Sequence, residues 1–456
     1  MEALCIGEKK EKMDASALML KEEIKDPVWV LNKYLYKVHD IDINKYIKQG
    51  KIPLGTKPKP YWEYDGKIPE EDIKFFNMPK IHEPQPIFIF GIAGCQKTSL
   101  MKRFAHYFKA HNYNIFIFEP KDDEWIKGRL KPSKIGLAPN ELPSSLNLIG
   151  LAPSYIFNKY PESKIKNYIN VSLDLQEFVA NDLSDFWIAA GLTIPATDYI
   201  RKNIANGVTI SSMINDIEAG TYDVIHHSTR TTVLQKLSTF KFDGIFEKSM
   251  TQKIANIENK IEFEKLTGDL IKKYWKKNIS IVLSAFYPEK KYLPSYFYYI
   301  MKKLFDLTIE YSLKNKKKVL KKAIFIDDSD IFIPDMGKKR SPASEIALHS
   351  LTLWRKFGFQ VVLATQHPDM VDPMIIANCK HYFIYNIGKV ERIEPYLNNP
   401  EIIKVIRKLK YNPNKYLVEC CHTFQAHTKY ETFFPFLSPI GHFIKTEEED
   451  DEDETF

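Results

Sequence analysis

Short, mostly apolar runs punctuate the chain at Ile87–Phe90 and at residues 115–118, 279–283, 323–326, 361–364, 382–385 and 416–420. Runs of four or five such residues predict strands buried on both faces of a parallel sheet. Between them, residues 97–111, 296–312 and 344–356 place their apolar side chains at helical spacing. The stretch from 87 to 118 therefore reads strand, turn, helix, strand, which is a βαβ unit. Two regions break this pattern. Residues 151–277 carry amphipathic helical stretches, such as 175–189 and 231–240, with little strand signal, and predict a helical insertion. Residues 1–84 have helical spacing at 15–36, then recurrent prolines with Trp62, Tyr64, Phe75 and Phe76 as aromatic anchors. That predicts an extended arm docked on another surface rather than a core. The expected organisation is an accessory region (1–84), an α/β core in two parts (85–150 and 278–435), the insertion (151–277) between them, and a tail (436–456).

The 456 residues suffice for two or three domains at roughly 100–200 residues each. Hydrophobic content of 44% and charged content of 27% describe a globular protein. The apolar runs fall far short of the ~20 residues that span a bilayer, and residues 1–12 carry charges without an apolar core. Membrane insertion and secretion are thus disfavoured. Five irregularly spaced cysteines, Cys5, Cys95, Cys379, Cys420 and Cys421, argue against a disulfide framework and for a reducing, cytoplasmic setting. Cys420, Cys421, His422 and His427 are metal-ligating types, but without a second Cys pair they read as buried strand thiols.

The net charge of +7 averages two opposed parts, because residues 447–454 are eight consecutive carboxylates and the rest of the chain carries +15. A basic body with an acidic tail suggests a polyanion partner and an internal competitor for it. A solubilising tail on a Lys-rich surface is the alternative.

The sharpest chemical signal is Gly91-Ile-Ala-Gly94-Cys95-Gln96-Lys97-Thr98, followed by Ser99. It lies between an apolar run and a helical pattern, the context of the phosphate-binding loop G-x-x-x-x-G-K-[ST] (Walker A). There, backbone N–H groups wrap the phosphates of ATP at the positive end of a helix, the lysine reaches the β/γ-phosphates and the Thr hydroxyl binds Mg²⁺. Gln96 stands where the pattern has glycine, at a point where a side chain crowds the backbone path.

A second run, Ala323-Ile-Phe-Ile, ends in Asp327-Asp328-Ser-Asp330. A buried strand ending in two carboxylates can supply a Mg²⁺ ligand, Asp327, and a group that orients or deprotonates the attacking water, Asp328 (a Walker B arrangement). A third run, 361–364, ends in Thr365-Gln366-His367-Pro368, where Gln366 can contact the γ-phosphate or the water. Only eight of the 65 basic residues are arginines, which makes Arg355 conspicuous six residues before that run. Its planar guanidinium suits bidentate phosphate contact, with a helix C-terminal cation as the plainer alternative.

The order of these segments resembles the FtsK–HerA superfamily of DNA-pumping ATPases, with a HerA-like insertion. The segments are 91–98, Glu119-Pro-Lys-Asp122, Asp327-Asp328, Trp354-Arg355-Lys356-Phe357-Gly358, Leu363-Ala-Thr365-Gln366-His-Pro368 and Ile376-Ala-Asn378-Cys379. The resemblance covers about residues 85–150 and 278–435. It implies a RecA-like P-loop NTPase core working as a ring, often a hexamer. Carried over by position, Lys97 and Thr98 bind phosphate and Mg²⁺, Asp327 supports the metal, Gln366 is a sensor, and Arg355 resembles a finger reaching a neighbouring subunit's nucleotide. Asp328 replaces the family's usual Glu. Gln96 and Asp328 together point to slow hydrolysis or to binding without efficient turnover.

Lys314, Lys316, Lys317, Lys318, Lys321 and Lys322 cluster before the Asp327 run, and Lys338, Lys339 and Arg340 follow it. Lysine contacts to phosphate are sequence-blind, which suits a motor on DNA, and Lys338–Arg340 are the expected channel contacts. The leading expectation is a Mg-ATP-driven double-stranded DNA translocase, with a capsid or nuclease partner according to the process it serves. The alternatives are a nucleotide-gated assembly protein, or another RecA-like nucleic-acid ATPase. The Lys-, Ile- and Tyr-rich composition is compatible with an archaeal virus or plasmid. In a ring around DNA, the acidic tail would act as an internal DNA mimic.

Overall fold

The computed structural model describes residues 41–77, 79–80, 83–120, 125, 148–152, 168–170, 184–221, 227–242, 271, 275, 280–284, 293–315, 319–335, 337, 340–397, 399–412, 417–424 and 429–436. In chain order the strands are β1 (Lys51–Thr56), β2 (Ile73–Asn77), β3 (Ile87–Phe90), β4 (Asn114–Glu119), β5 (Leu148–Ala152), β6 (Tyr168–Asn170) and β7 (Ser280–Ser284). They continue with β8 (Lys322–Ile326), β9 (Phe359–Thr365), β10 (His381–Ile384), β11 (Tyr411–Asn412), β12 (Leu417–Val418), β13 (Cys420–Phe424) and β14 (Tyr430–Pro435). The α-helices are α1 (Ile43–Lys48), α2 (Lys97–Ala110), α3 (Ser184–Ala189), α4 (Ile194–Ala205), α5 (Ile210–Glu218), α6 (His227–Phe242), α7 (Leu293–Lys314), α8 (Ser329–Phe332), α9 (Pro342–Thr352), α10 (Pro373–Asn378) and α11 (Pro400–Ile406).

One sheet has the order β2-β1-β14-β13-β10-β3-β9-β8-β4-β7-β5-β6. From β10 to β6 every pairing is parallel. From β10 outward through β13, β14, β1 and β2 every pairing is antiparallel. The class is therefore α/β with a large, mainly parallel sheet, as the apolar runs predict.

Side-chain alternation within those runs builds a core on each face. Ile87 and Ile89 of β3 join Ile115, Ile117, Phe325, Val362 and Ala364 in a cluster with Leu100, Phe104 and Phe108 of α2. Phe88 and Phe90 join Phe116, Phe118, Ile324, Ile326, Val361 and Leu363 in a second cluster with residues of α7 and α9. Continuous apolar sequence is what a strand covered on both sides requires.

Helix starts are locally encoded. Ser341 caps α9 by accepting from the Ser344 N–H at 3.1 Å, with Pro342 in the first turn. Asp372 caps α10 the same way, accepting from the Met374 N–H at 2.8 Å ahead of Pro373.

Two regions differ from the sequence pattern. The Pro-rich stretch before residue 84 contributes β1 and β2, and Ile52, Leu54, Tyr61, Ile73 and Phe76 lie in the same buried cluster as α2. Its prolines fit because Pro53 sits at a register irregularity between β1 and β2. Within 151–277 the sheet continues into β6, a three-residue strand too short to leave a period. The helical stretch 15–36 and the acidic tail lie outside the described residues. Cys420 and Cys421 are buried in β13, and no cluster of three or more metal-ligating side chains occurs among the described residues. Among those residues, no helix is long and apolar enough to cross a membrane.

Candidate active site

β3 ends at Phe90, and the chain turns through residues 91–96 into α2. Gly91 has no room for a side chain: a Cβ there would lie 2.6 Å from Cys95 Sγ and 2.6 Å from Tyr385 Cβ. Both neighbouring strands hold the loop's entry. The Gly91 N–H approaches the Thr365 carbonyl at 3.4 Å, and the Ile92 N–H donates to the Asn386 carbonyl at 2.8 Å. The turn closes through left-handed backbone at Gly94 (φ 75°) and Gln96 (φ 67°). For Gln96 this conformation costs about 1–2 kcal/mol, which glycine would avoid. The mismatch seen in the motif is thus a strained residue at the first cap of α2.

Lys97 is buried, and its Nζ donates to the Gly91 and Ile92 carbonyls, each at 2.9 Å. The ammonium therefore spans the loop from inside. Cys95 and Ser99 are buried beside it, and burial pushes the Cys95 thiol up, keeping it protonated. The N-terminus of the 14-residue helix α2 faces the loop and adds the positive end of its dipole.

The acidic strand end meets this loop. Thr98 Oγ1 donates to Asp327 Oδ2 at 3.0 Å, across 229 positions of sequence. Asp327 is fixed by its own N–H, which donates to the Phe118 carbonyl at 3.0 Å, and its Oδ1 accepts from the Asp328 N–H at 3.1 Å. Asp328 is buried with φ 43°, a second non-glycine residue in left-handed backbone, and it caps α8. A hydroxyl and a carboxylate this close form a hard-oxygen donor pair, the chemistry Mg²⁺ takes with water filling its remaining positions.

β9 lies between β3 and β8, and Thr365 at its end pairs with Phe90. Half-buried Gln366 therefore follows at the rim between the phosphate loop and the two acids. Two residues given no role by the motifs join this rim. Thr365 Oγ1 donates to Asp330 Oδ1, and burial, with Asp328 adding to it, raises the Asp330 carboxyl above its ordinary range. Tyr411 of β11 donates through its hydroxyl to the Ala93 carbonyl at 3.0 Å, leaning on the crest of the loop. Asp330 belongs to the acidic segment 327–330. Tyr411 had no local signal, being 318 positions away.

Other candidates lie elsewhere. Arg355 is exposed on a short 3-10 turn, Trp354–Phe357, before β9, at the opposite end of that strand from Thr365. Seven residues of strand put it about 20 Å from its own phosphate loop, beyond a side chain's reach. Gly358 makes that turn possible: at φ 82°, a Cβ would sit 2.6 Å from Val319 Cγ1 and 2.8 Å from the Leu320 carbonyl oxygen. Arg340 pairs through Nε with buried Asp372 at 2.5 Å. Lys338 and Lys339, with Asp122, lie outside the described residues. Lys322, grouped by sequence with the basic cluster, is fully buried in β8, its ammonium 5.2 Å from the Trp275 ring centre and 5.3 Å from that of Phe359.

No sequence-family profile matches the chain, and no curated protein matches its sequence. Solved structures resemble its fold. VirB4 of Thermoanaerobacter pseudethanolicus matches at 10% identity and a TM-score of 0.49, covering 85% of this chain and 97% of that one. The bacterial conjugative coupling protein TrwBdeltaN70 matches at 12% identity and a TM-score of 0.46, covering 81% and 89%. The genome packaging NTPase B204 from Sulfolobus turreted icosahedral virus 2, in complex with AMPPCP, matches at 12% identity and a TM-score of 0.35, covering 78% and 98%. At these identities the likeness concerns the fold alone.

Proposed function

We propose that this chain is an ATP hydrolase that moves double-stranded DNA and works as a ring, a hexamer by resemblance. One observation carries the ATPase half: the Thr98 hydroxyl and Asp327 carboxylate, 3.0 Å apart, stand at the start of the helix that also bears Lys97. Gly91 opens the loop, its N–H held towards the Thr365 carbonyl, and backbone N–H groups of residues 93–99, including Gly94, Cys95, Gln96 and Ser99, line the triphosphate. Lys97 exchanges its two loop carbonyls for phosphate oxygens. Thr98 and Asp327 would hold Mg²⁺, which would supply charge neutralisation at the phosphates. Asp328 orients the attacking water and accepts its proton, and Gln366 contacts the γ-phosphate or that water. Arg355, too far from its own loop, serves the nucleotide of a neighbouring subunit.

The DNA half rests on the motif order and on the +15 body charge. Lys338, Lys339 and Arg340 are its proposed contacts, with Asp372 anchoring Arg340 at the end of the segment. ATP turnover by the purified chain with Mg²⁺ tests the reading. We expect hydrolysis that duplex DNA stimulates more than single-stranded DNA or RNA. An inert preparation under all these conditions overturns the enzyme claim.

A second reading, a nucleotide-gated assembly protein with little turnover, is favoured by one feature. Both departures from the motif, Gln96 and Asp328, occupy left-handed backbone. It expects tight ATP binding and ring formation without hydrolysis.

A further inference from the structure

The Thr365–Asp330 bond lies outside every role assigned above. Thr365 is fully buried, and its hydroxyl makes two bonds at once. It donates to Asp330 Oδ1 and accepts from the His367 N–H at 2.9 Å. The second bond closes a tight turn around residue 366. The first ties that turn to α8, the helix that Asp328 caps. Gln366 is therefore carried on a turn closed by one hydroxyl, and that hydroxyl is anchored to the segment bearing the acids.

The same two segments are also joined by an isolated antiparallel bridge between Pro334 and Val371, in which the Asp335 N–H donates to the Met370 carbonyl at 2.7 Å. These contacts lie beyond Gln366 and limit drift of the whole rim. The Thr365–Asp330 bond acts at the turn itself, where His367 also faces Asp330 electrostatically.

We propose that Asp330 is a positioning residue: through Thr365 it holds Gln366 in register with the phosphate loop and Asp328, so turnover depends on it and nucleotide binding does not. This rests on the ATPase reading of the site. Loss of this bond at the turn falls on the geometry of hydrolysis rather than on the phosphate-binding loop.

The test compares kcat and KM for ATP with the Kd for ATPγS, using the full chain. Asp330→Ala should lower kcat at least ~10-fold while ATPγS affinity stays within about twofold. Asp330→Asn keeps an acceptor oxygen and should recover most of the lost turnover. Thr365→Val should reproduce the loss, Thr365→Ser should not, and Asp330→Ala with Thr365→Val should be no slower than the worse single variant. If Asp330→Ala fails to fold, read by its Tm, the Thr365→Val and Thr365→Ser pair decides alone. Unchanged kcat in Asp330→Ala or Thr365→Val, an equal loss of ATPγS affinity, an Asn variant as slow as Ala, or additive losses in the double variant would each overturn the proposal. A wild-type chain without turnover overturns the ATPase reading and this inference together. An active wild type with an equally active Asp330→Ala overturns the inference alone.

Discussion

In the parallel half of the sheet every strand runs the same way, so the segments after β3, β8 and β9 emerge at one rim. Gly91, Asp327 and Thr365 meet there although long stretches of chain separate them. In the antiparallel half, β13, β14, β1 and β2 alternate in direction and no single rim collects their ends. Its polar side chains sit within the sheet's packing instead. His381 and His422 stack 5.2 Å apart, His422 lies flat against Phe383, and Lys74 pairs with Glu431. His381 Nε2 bonds Gln85 Oε1 at 2.7 Å, and its Nδ1 lies 3.0 Å from His422 Nε2. Because Gln85 Oε1 only accepts, the chain of donation runs His422 to His381 to Gln85, which both rings satisfy as neutral imidazoles. Strand direction thus separates chemistry from scaffolding: rim variants should change turnover, and variants in the sheet's packing should change stability.

The strongest test of that division is Lys97→Ala. Lys97 is the charged donor spanning the phosphate loop. Its removal should cost about 10²-fold or more in kcat/KM, in line with the loss of one preorganised donor at a developing charge. The melting temperature should move little, since the loop's backbone bonds to Thr365 and Asn386 remain. A large fall in melting temperature with turnover intact would break the comparison outright.

Lys322 sharpens it from inside the parallel half, because it lies at the other end of β8 from Asp327. Burial between two aromatic rings pushes its ammonium down to about 7. The unfolded chain binds a proton there up to about pH 10.5, so between pH 7 and 10.5 the wild type gains stability as pH rises. Lys322→Met should therefore stabilise the protein at pH 7 by on the order of a few kcal/mol, an advantage that narrows towards pH 10. Denaturant melts at both pH values check this, and unchanged turnover would confine chemistry to one rim of the strand.

The antiparallel half has its own signature in acid. Burial, with Lys74 and Lys380 nearby, lowers His381 to about 3, and burial with Lys74 and His381 lowers His422 well below its usual range. Unfolded histidines take up protons near pH 6.5, so this stability is complete above that value and is lost as pH falls towards 3. At pH 5 a histidine lowered this far costs about 2 kcal/mol. His106 on α2, also lowered to about 3, adds to the same slope. His381→Gln should make stability between pH 6.5 and 5 less steep; an unchanged slope would place the acid sensitivity elsewhere.

The parallel half was legible in sequence because double burial forces unbroken apolar runs, and each run's last residue marks the rim. Ile87–Phe90 with Gly91, and 323–326 with Asp327, both follow that rule. The antiparallel half was legible only in part: the run 416–420 marks β12 and the start of β13, while Lys74, His422 and Glu431 interrupt the pattern elsewhere and find partners across strands. Pairwise contacts such as Thr365–Asp330 and Tyr411–Ala93 depend on strand order, which local periodicity does not contain. Arg355 marks the same limit: its sequence context resembles a finger, while only the strand's length places it far from its own loop.

The finest distinction concerns Gln96, which joins both sides of the comparison as a rim residue carrying a backbone cost. Gln96→Gly relieves about 1 kcal/mol of left-handed strain, offset in part by the greater freedom glycine has in the unfolded chain. The expected gain in melting temperature is therefore small, about 1–2 °C. Turnover discriminates more sharply. If the chain is an active motor, the wild-type loop already holds its phosphate-binding path at φ 67°, and glycine changes kcat by less than a few fold. If strain at Gln96 and Asp328 restrains hydrolysis, Gln96→Gly combined with Asp328→Glu raises kcat by at least ~10-fold while ATPγS affinity holds. Parallel measurements of kcat and melting temperature on the single and double variants separate these outcomes. A gain in stability without a gain in rate would show that the left-handed glutamine is tolerated scaffolding rather than a brake.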